Sequence, residues 1–182
     1  MMGMPFIIPP RLWSSGRGIM IRTDARSTPP SIGGWCGSAD SFDPKSIRWF
    51  QYDIQPDIFE KICGLQWDIE KRISALELLA LLVAVRQWGC SIANSKFRIA
   101  LHIETDSMVA KNSIQKWRAK TEPMHTILRE IIITAVQHNI SLFATHLPGE
   151  DNIWADAISR LKPEYMDQLN PDRRNESYNP NE

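Results

Sequence analysis

Phe97-Arg98-Ile99-Ala100-Leu101-His102-Ile103-Glu104-Thr105-Asp106-Ser107 alternates apolar and polar residues and then stops on an acid followed by a hydroxyl. Period-two alternation places Phe97, Ile99, Leu101 and Ile103 on one face of a β-strand. A helix is predicted directly after it, over about 107–118. Upstream, 73–88 is the clearest helix, apolar on nearly every side through Leu76, Leu78, Leu79, Leu81, Leu82, Val83 and Val85. Such a helix must be buried on more than one side. Further out, 19–25 and 33–38 read as strands, with a Pro-containing loop over 27–31 between them. The aromatic-rich 47–68 reads as one or two more antiparallel strands. Downstream come a helix over 124–138, a strand over 140–146 and a helix over 152–161. Strands, helix, strand, helices, strand, helix is the order of an α/β domain, a mixed sheet with helices packed on its faces.

The ends differ from this middle. Residues 1–17 are rich in Met, Pro and Gly without periodicity and are expected to be an irregular leader or linker. The domain is expected over 18–162. Residues 163–182, polar and rich in Asn and Pro, are expected to be a disordered tail.

In 182 residues, 43% are hydrophobic, enough for a sizeable core, and Lys+Arg equals Asp+Glu at 21 each. Bulk charge therefore favours no polyanionic partner, although acids that bind metal and bases that line a groove would also sum to zero. Cys36, Cys63 and Cys90 form no Cys-x-x-Cys pair, which argues against a thiolate zinc site. Their odd number suggests free thiols in a reducing, intracellular compartment, cytoplasmic or nuclear. The apolar run near 75–85 is interrupted by Glu77 and reads as too short to span a bilayer, so no membrane partner is expected.

Four acids sit where the element order would gather them. Asp24 ends the first strand, Glu77 lies in the first long helix, Asp106 ends the strand over 97–105, and Asp156 lies in the last helix. Ligand sites in open sheets form beyond the carboxyl ends of strands, where Asp24 and Asp106 both fall. Gathered carboxylates repel one another, and hard divalent cations such as Mg²⁺ hold them through oxygen. Two such ions roughly 3.5–4 Å apart can clamp both sides of a phosphodiester displacement. Each acid also has a plain structural reading. Ser74-Ala75-Leu76-Glu77 matches a capping box; Asp106 suits an N-cap; Asp156 stands four residues before Arg160, an ordinary ion-pair spacing; Asp24 suits a turn. His146, at the end of the last strand, is either structural or a proton carrier for the site.

Lys111, Lys116, Arg118 and Lys120 lie on or just beyond the helix after Asp106, with Trp117 among them. They suit a phosphate backbone, with Trp117 either packing on a sugar or base or buried under a solvated helix face. Ser107, Asn112 and Asn152 are candidate donors to phosphate or to a ribose 2′-hydroxyl. Trp35, Trp49, Trp67 and Trp88 read as core.

In order, Thr23-Asp24-Ala25, Gly34-Trp35, Leu76-Glu77-Leu78-Leu79-Ala80, Thr105-Asp106-Ser107 and Asn152-Ile153-Trp154-Ala155-Asp156-Ala157-Ile158-Ser159-Arg160 resemble the motifs of ribonuclease H. The last, preceded by His146-Leu147-Pro148-Gly149-Glu150-Asp151, resembles the ribonuclease H domains of retrotransposon reverse transcriptases of the gypsy and tyrosine-recombinase (DIRS) types. The resemblance covers about 19–161. It implies a mixed five-stranded sheet with helices on both faces, and metal-dependent cleavage of the RNA strand of an RNA–DNA hybrid. It further implies two Mg²⁺ ions, or Mn²⁺, on Asp24, Glu77, Asp106 and Asp156, with His146 assisting proton transfer. The partners it implies are the hybrid and a polymerase domain or larger ribonucleoprotein assembly; no Tyr-x-Asp-Asp polymerase motif is present here. The segment between Asp106 and Asp156 leaves no room for the extra basic helix of many cellular relatives. Arg26 stands where these elements have Ser, and the Pro29-Pro30 loop reads as enlarged. A degenerate copy serving as a structural or RNA-binding component is the alternative. A transposase or integrase on the same fold fits the carboxy-terminal motif less well.

Overall fold

The computed structural model describes residues 18–38, 40–66, 68–92 and 98–182. Phe97, Trp67 and the expected leader over 1–17 lie outside the described residues. Five strands form one sheet in the order β3-β2-β1-β4-β5. β1 (Ile19–Ser27), β2 (Pro30–Ser38) and β3 (Arg48–Asp53) make an antiparallel meander. β4 (Ile99–Thr105) joins β1 in parallel, and β5 (Ile140–His146) joins β4 in parallel. The mixed five-stranded sheet expected from the sequence is present.

The β1–β2 register sorts side chains by face. Ile21, Ala25, Ile32 and Cys36 enter one core with the long helix. Trp35, Ile47 and Trp49 enter a second core with Ala155, Ile158 and Leu169. Helices therefore cover both faces of the sheet. On the first face α2 (Ile73–Ala84) is buried on every side between the sheet and α5 (Met124–Gln137), with α4 (Met108–Lys116) beside it. On the second face lies α6 (Ile153–Ser159).

α2 runs on through a π-helical turn, Val85–Gly89, into α3 (Cys90–Ile92). This makes a 20-residue helical stretch that length and composition would allow to cross a membrane, but 78% of its apolar window is buried inside the fold. It is longer than the short apolar run read from the sequence. The π turn wraps Gly89 tightly against the sheet, where a Cβ would lie 3.1 Å from Ile140 Cδ1 and 3.2 Å from Leu101 Cδ2.

Two expectations are corrected and one is filled out. The supposed enlarged loop after Asp24 is a tight hairpin: Ser27 pairs with Pro30 across Thr28 and Pro29, so Asp24 lies inside β1, opposite Gly33, and does not end the strand. Of the one or two strands expected over 47–68, one, β3, forms among the described residues. It is followed by α1 (Ile58–Cys63), because Ile58 and Phe59 anchor a helical turn in the core although their residue types also suit a strand. The expected disordered tail is folded. After α7 (Pro163–Met166), Arg174 bridges Trp49, and three consecutive side chains of the π turn hold the last stretch of the chain. Arg86 Nη1 donates to Tyr178 Oη at 2.6 Å, Gln87 Nε2 to the Tyr178 carbonyl at 3.2 Å, and Trp88 Nε1 to Asn175 Oδ1 at 3.2 Å.

Candidate metal centre

β1 and β4 run parallel in the centre of the sheet and deliver Asp24 and Asp106 to the same end. Glu77 enters from α2. Oxygens of Asp24, Glu77 and Asp106 all lie within 4.8 Å of one another. Glu77 stands a full turn into its helix, so the capping-box reading does not hold: N-cap Arg72 makes no side-chain cap bond, and Glu77 Oε1 instead accepts the Ala25 backbone N–H at 3.2 Å. Nor does Asp106 cap α4; Ser107 does, accepting the Ala110 N–H at 3.2 Å.

The charges of this cluster are out of balance. Burial, opposed by a Ser159 hydrogen bond and reinforced by Asp106 and Asp156, raises the Asp24 carboxyl to about 7. Burial, then the like charges of Asp24 and Asp106, pushes Glu77 well above the usual range. Burial and Asp156 also raise Asp106, which is half-buried. Glu77 Oε2 is buried with no hydrogen-bond partner. An acceptor in that condition costs stability unless something donates to it or binds it. Three hard oxygen donors within one ion's reach, on residues that include an orphaned carboxylate oxygen, fit Mg²⁺ or Mn²⁺.

Asp156 stands apart from this triad. Its carboxylate accepts from Arg160 Nε and, at 2.6 Å, from Lys162 Nζ. Burial acts to raise it, but those two hydrogen bonds and charges outweigh burial and hold it below the usual range. The ion-pair spacing visible in the sequence is thus realised, and Lys162 adds to it: Leu161 takes a left-handed conformation (φ 51°) that returns the chain toward the helix.

His146 is exposed, and its Nε2 lies 3.1 Å from the Asp106 carbonyl. Asn152, read from the sequence as a donor to substrate, is fully buried, and its Nδ2 donates to the Thr23 carbonyl at 3.0 Å. It fastens the start of α6 to β1 beside Asp24. Lys111 and Asn112 are half-buried and Lys116 is exposed along α4. Trp117, for which burial under the helix was one of two readings, is 46% exposed at its C-terminus. Arg26 turns away to the hairpin, where Nε donates to the Thr28 carbonyl at 2.6 Å. Trp35, Trp49 and Trp88 are buried as expected.

Sequence reasoning passed over Ser159. Its Oγ donates to Asp24 Oδ2 at 2.5 Å, and Ser31 Oγ donates to its carbonyl at 2.7 Å. The signal was its position three residues after Asp156, on the same side of a helix.

The arrangement of strands and helices has counterparts among solved structures. RNase H1 from the halophilic archaeon Halobacterium salinarum is 14% identical with a TM-score of 0.56, the alignment covering 82% of this chain and 97% of that one. The N-terminal RNase H domain of a Mycobacterium tuberculosis protein is 15% identical with a TM-score of 0.57, covering 84% and 95%. LC11-RNase H1, solved in complex with an RNA/DNA hybrid, is 16% identical with a TM-score of 0.56, covering 82% and 99%. The fold is that of ribonuclease H. No protein-family model and no curated protein matches the sequence. The ribonuclease H fold accounts for the strand order β3-β2-β1-β4-β5.

Proposed function

We propose that this chain is a metal-dependent endonuclease that cleaves the RNA strand of RNA–DNA hybrids. The observation that carries the reading is the triad Asp24–Glu77–Asp106, two of its members buried, with one oxygen from each within 4.8 Å of the others and Glu77 Oε2 orphaned. Acids of raised pKa gathered at one end of a sheet are costly to keep and mark a functional site. Asp24, Glu77 and Asp106 would hold divalent metal, with Asp156 joining them once it leaves Arg160 and Lys162. When bound, a pair of Mg²⁺ or Mn²⁺ ions would neutralise the cluster and supply electrophilic activation of a phosphodiester.

The chain's own groups do the rest. A carbonyl can only accept, so the contact of His146 with Asp106 places its proton on Nε2 and leaves Nδ1 to take up or release another. Lys111, Asn112 and Lys116 would follow the phosphate backbone along α4, and Ser107, next to Asp106, would meet the nucleotide at the metals. We assign the domain to a retroelement reverse transcriptase, working inside the cell beside a polymerase domain, because the ordered motifs ending in 152–160 resemble that branch.

A second reading has its own observation: Asp156 is fully engaged by Arg160 and Lys162, as in a copy that has lost its metals and serves as a structural or RNA-binding part of an assembly. One assay separates the two. The purified chain is incubated at low salt with a hybrid labelled on the RNA strand, in Mg²⁺ or Mn²⁺ and in EDTA. RNA-strand cleavage that EDTA stops supports the enzyme, and hybrid binding without cleavage in either metal supports the scaffold.

A further inference from the structure

We propose that Ser159 is a positioning residue, whose hydroxyl fixes the Asp24 carboxylate and sets the separation between Asp24 and the helix that carries Asp156. The inference rests on the reading of Asp24 as a metal ligand.

Ser159 is 1% exposed at the end of α6, and two acceptors compete for its single hydroxyl hydrogen. Asp24 Oδ2 lies 2.5 Å away and the Asp156 carbonyl 2.9 Å away. The carboxylate is nearer and, once ionised, charged, so it takes the hydrogen. A carboxylate's terminal torsion is otherwise broad, and this bond removes that freedom.

The serine is itself held in place. Ser31 Oγ donates to its carbonyl at 2.7 Å, and Gly33 leaves its backbone room to approach. A Cβ on Gly33 would lie 2.5 Å from Ser159 N and 2.8 Å from Ser159 Cα. Two residues of β2 thus seat the helix end against the sheet, and the hydroxyl reaches Asp24 from that seat. Residues three apart share one side of a helix. Asp156 and Ser159 are so spaced, and the distance from Asp24 to Asp156 is set through Ser159.

The test is Mn²⁺ binding to the full chain by isothermal titration calorimetry, beside thermal unfolding in EDTA. Hydrogen bonds to charged groups carry enough energy for Ser159→Ala to weaken Mn²⁺ binding roughly tenfold to a hundredfold. Ser159→Thr, which keeps the hydroxyl, should recover most of that loss. If Ser159→Ala folds poorly, Ser159→Cys fills the same space with a weak donor and must show the same loss of affinity. Wild-type affinity in a folded Ser159→Ala or Ser159→Cys protein overturns the inference. So does an equal loss in Ser159→Ala and Ser159→Thr that tracks a fall in melting temperature, which would mark packing alone. Asp24→Asn tests the underlying reading separately: if it binds Mn²⁺ like the wild type, the metal centre is misassigned whatever Ser159 does. A wild-type chain that binds no Mn²⁺ overturns both.

Discussion

Glu77 divides its two oxygens between different tasks: Oε1 accepts the Ala25 N–H at 3.2 Å, and Oε2 is buried without a partner. The first oxygen ties α2 to β1, and the second is the one left for an ion. Glu77→Gln keeps an acceptor for Ala25 and removes a charge repelled by Asp24 and Asp106. The metal-free variant should therefore unfold at a higher temperature than the wild type. Its hybrid cleavage should fall by more than the roughly 10–100-fold typical of groups that only support a metal ligand. A variant that is less stable in EDTA would mean that Glu77 is ion-paired, not strained.

The same strain predicts how stability follows pH. Asp24 rises from 3.8 in the unfolded chain to about 7 in the fold, so the native state holds this proton more tightly. Its contribution to stability is fully present below the unfolded value and is lost as pH rises through the folded one. In EDTA the melting temperature should fall between about pH 4 and pH 7. Excess Mg²⁺, which binds the deprotonated cluster, should remove most of that fall. Melting curves across this window with and without Mg²⁺ check it; a flat profile in EDTA would contradict it.

His146 and Asp106 should separate by degree. Asp106→Asn removes a cluster ligand and should nearly abolish cleavage. His146 is exposed and touches the cluster only through the Asp106 carbonyl, so His146→Ala should leave the fold intact. Its rate should drop by about 10²–10⁴-fold, the range of general acid–base help. Single-turnover rates on one hybrid measure both. An undiminished rate in His146→Ala would remove the histidine from the chemistry.

Gly33→Ala should cost about 1–3 kcal/mol, because its new methyl meets backbone atoms of α6 that have no rotamer to give. Denaturant unfolding reads this loss directly. A loss under about 0.5 kcal/mol would show that α6 rides more loosely on β2 than the distances indicate.

Much of this was legible in the sequence. β5 is found over the predicted residues, and α2, α4, α5 and α6 lie within a few residues of their predicted spans, because their apolar spacing is set by a core that touches them along their whole length. The gathering of Asp24, Glu77 and Asp106 followed from topology, since β1 and β4 run side by side in parallel and carry both aspartates in the same direction. The misses depended on contacts distant in sequence. α1 carries strand-like residue types but packs as a helix. Lys162 reaches Asp156 only because Leu161 turns the chain back, a conformation that leucine does not advertise. The bond from Asn152 to the Thr23 carbonyl joins residues 129 apart, which no local pattern shows. The tail reads as disordered in composition because it has little apolar content of its own; polar bonds to the rest of the fold hold it in place.

That tail closes the outer margin of the sheet. The carbonyls of Trp49, Gln51 and Asp53 alternate along the free side of β3, and each is taken: by Asn175 N at 2.7 Å, by Arg174 Nη2 at 3.2 Å and by Asn181 Nδ2 at 2.9 Å. A row of vacant carbonyls is a template on which a stranger's backbone can crystallise into an extra strand. Here the template is already written over, partly by side chains that cannot propagate a ladder. Copies of this protein crowded onto one nucleic acid would meet along β3 without a seam on which to fuse.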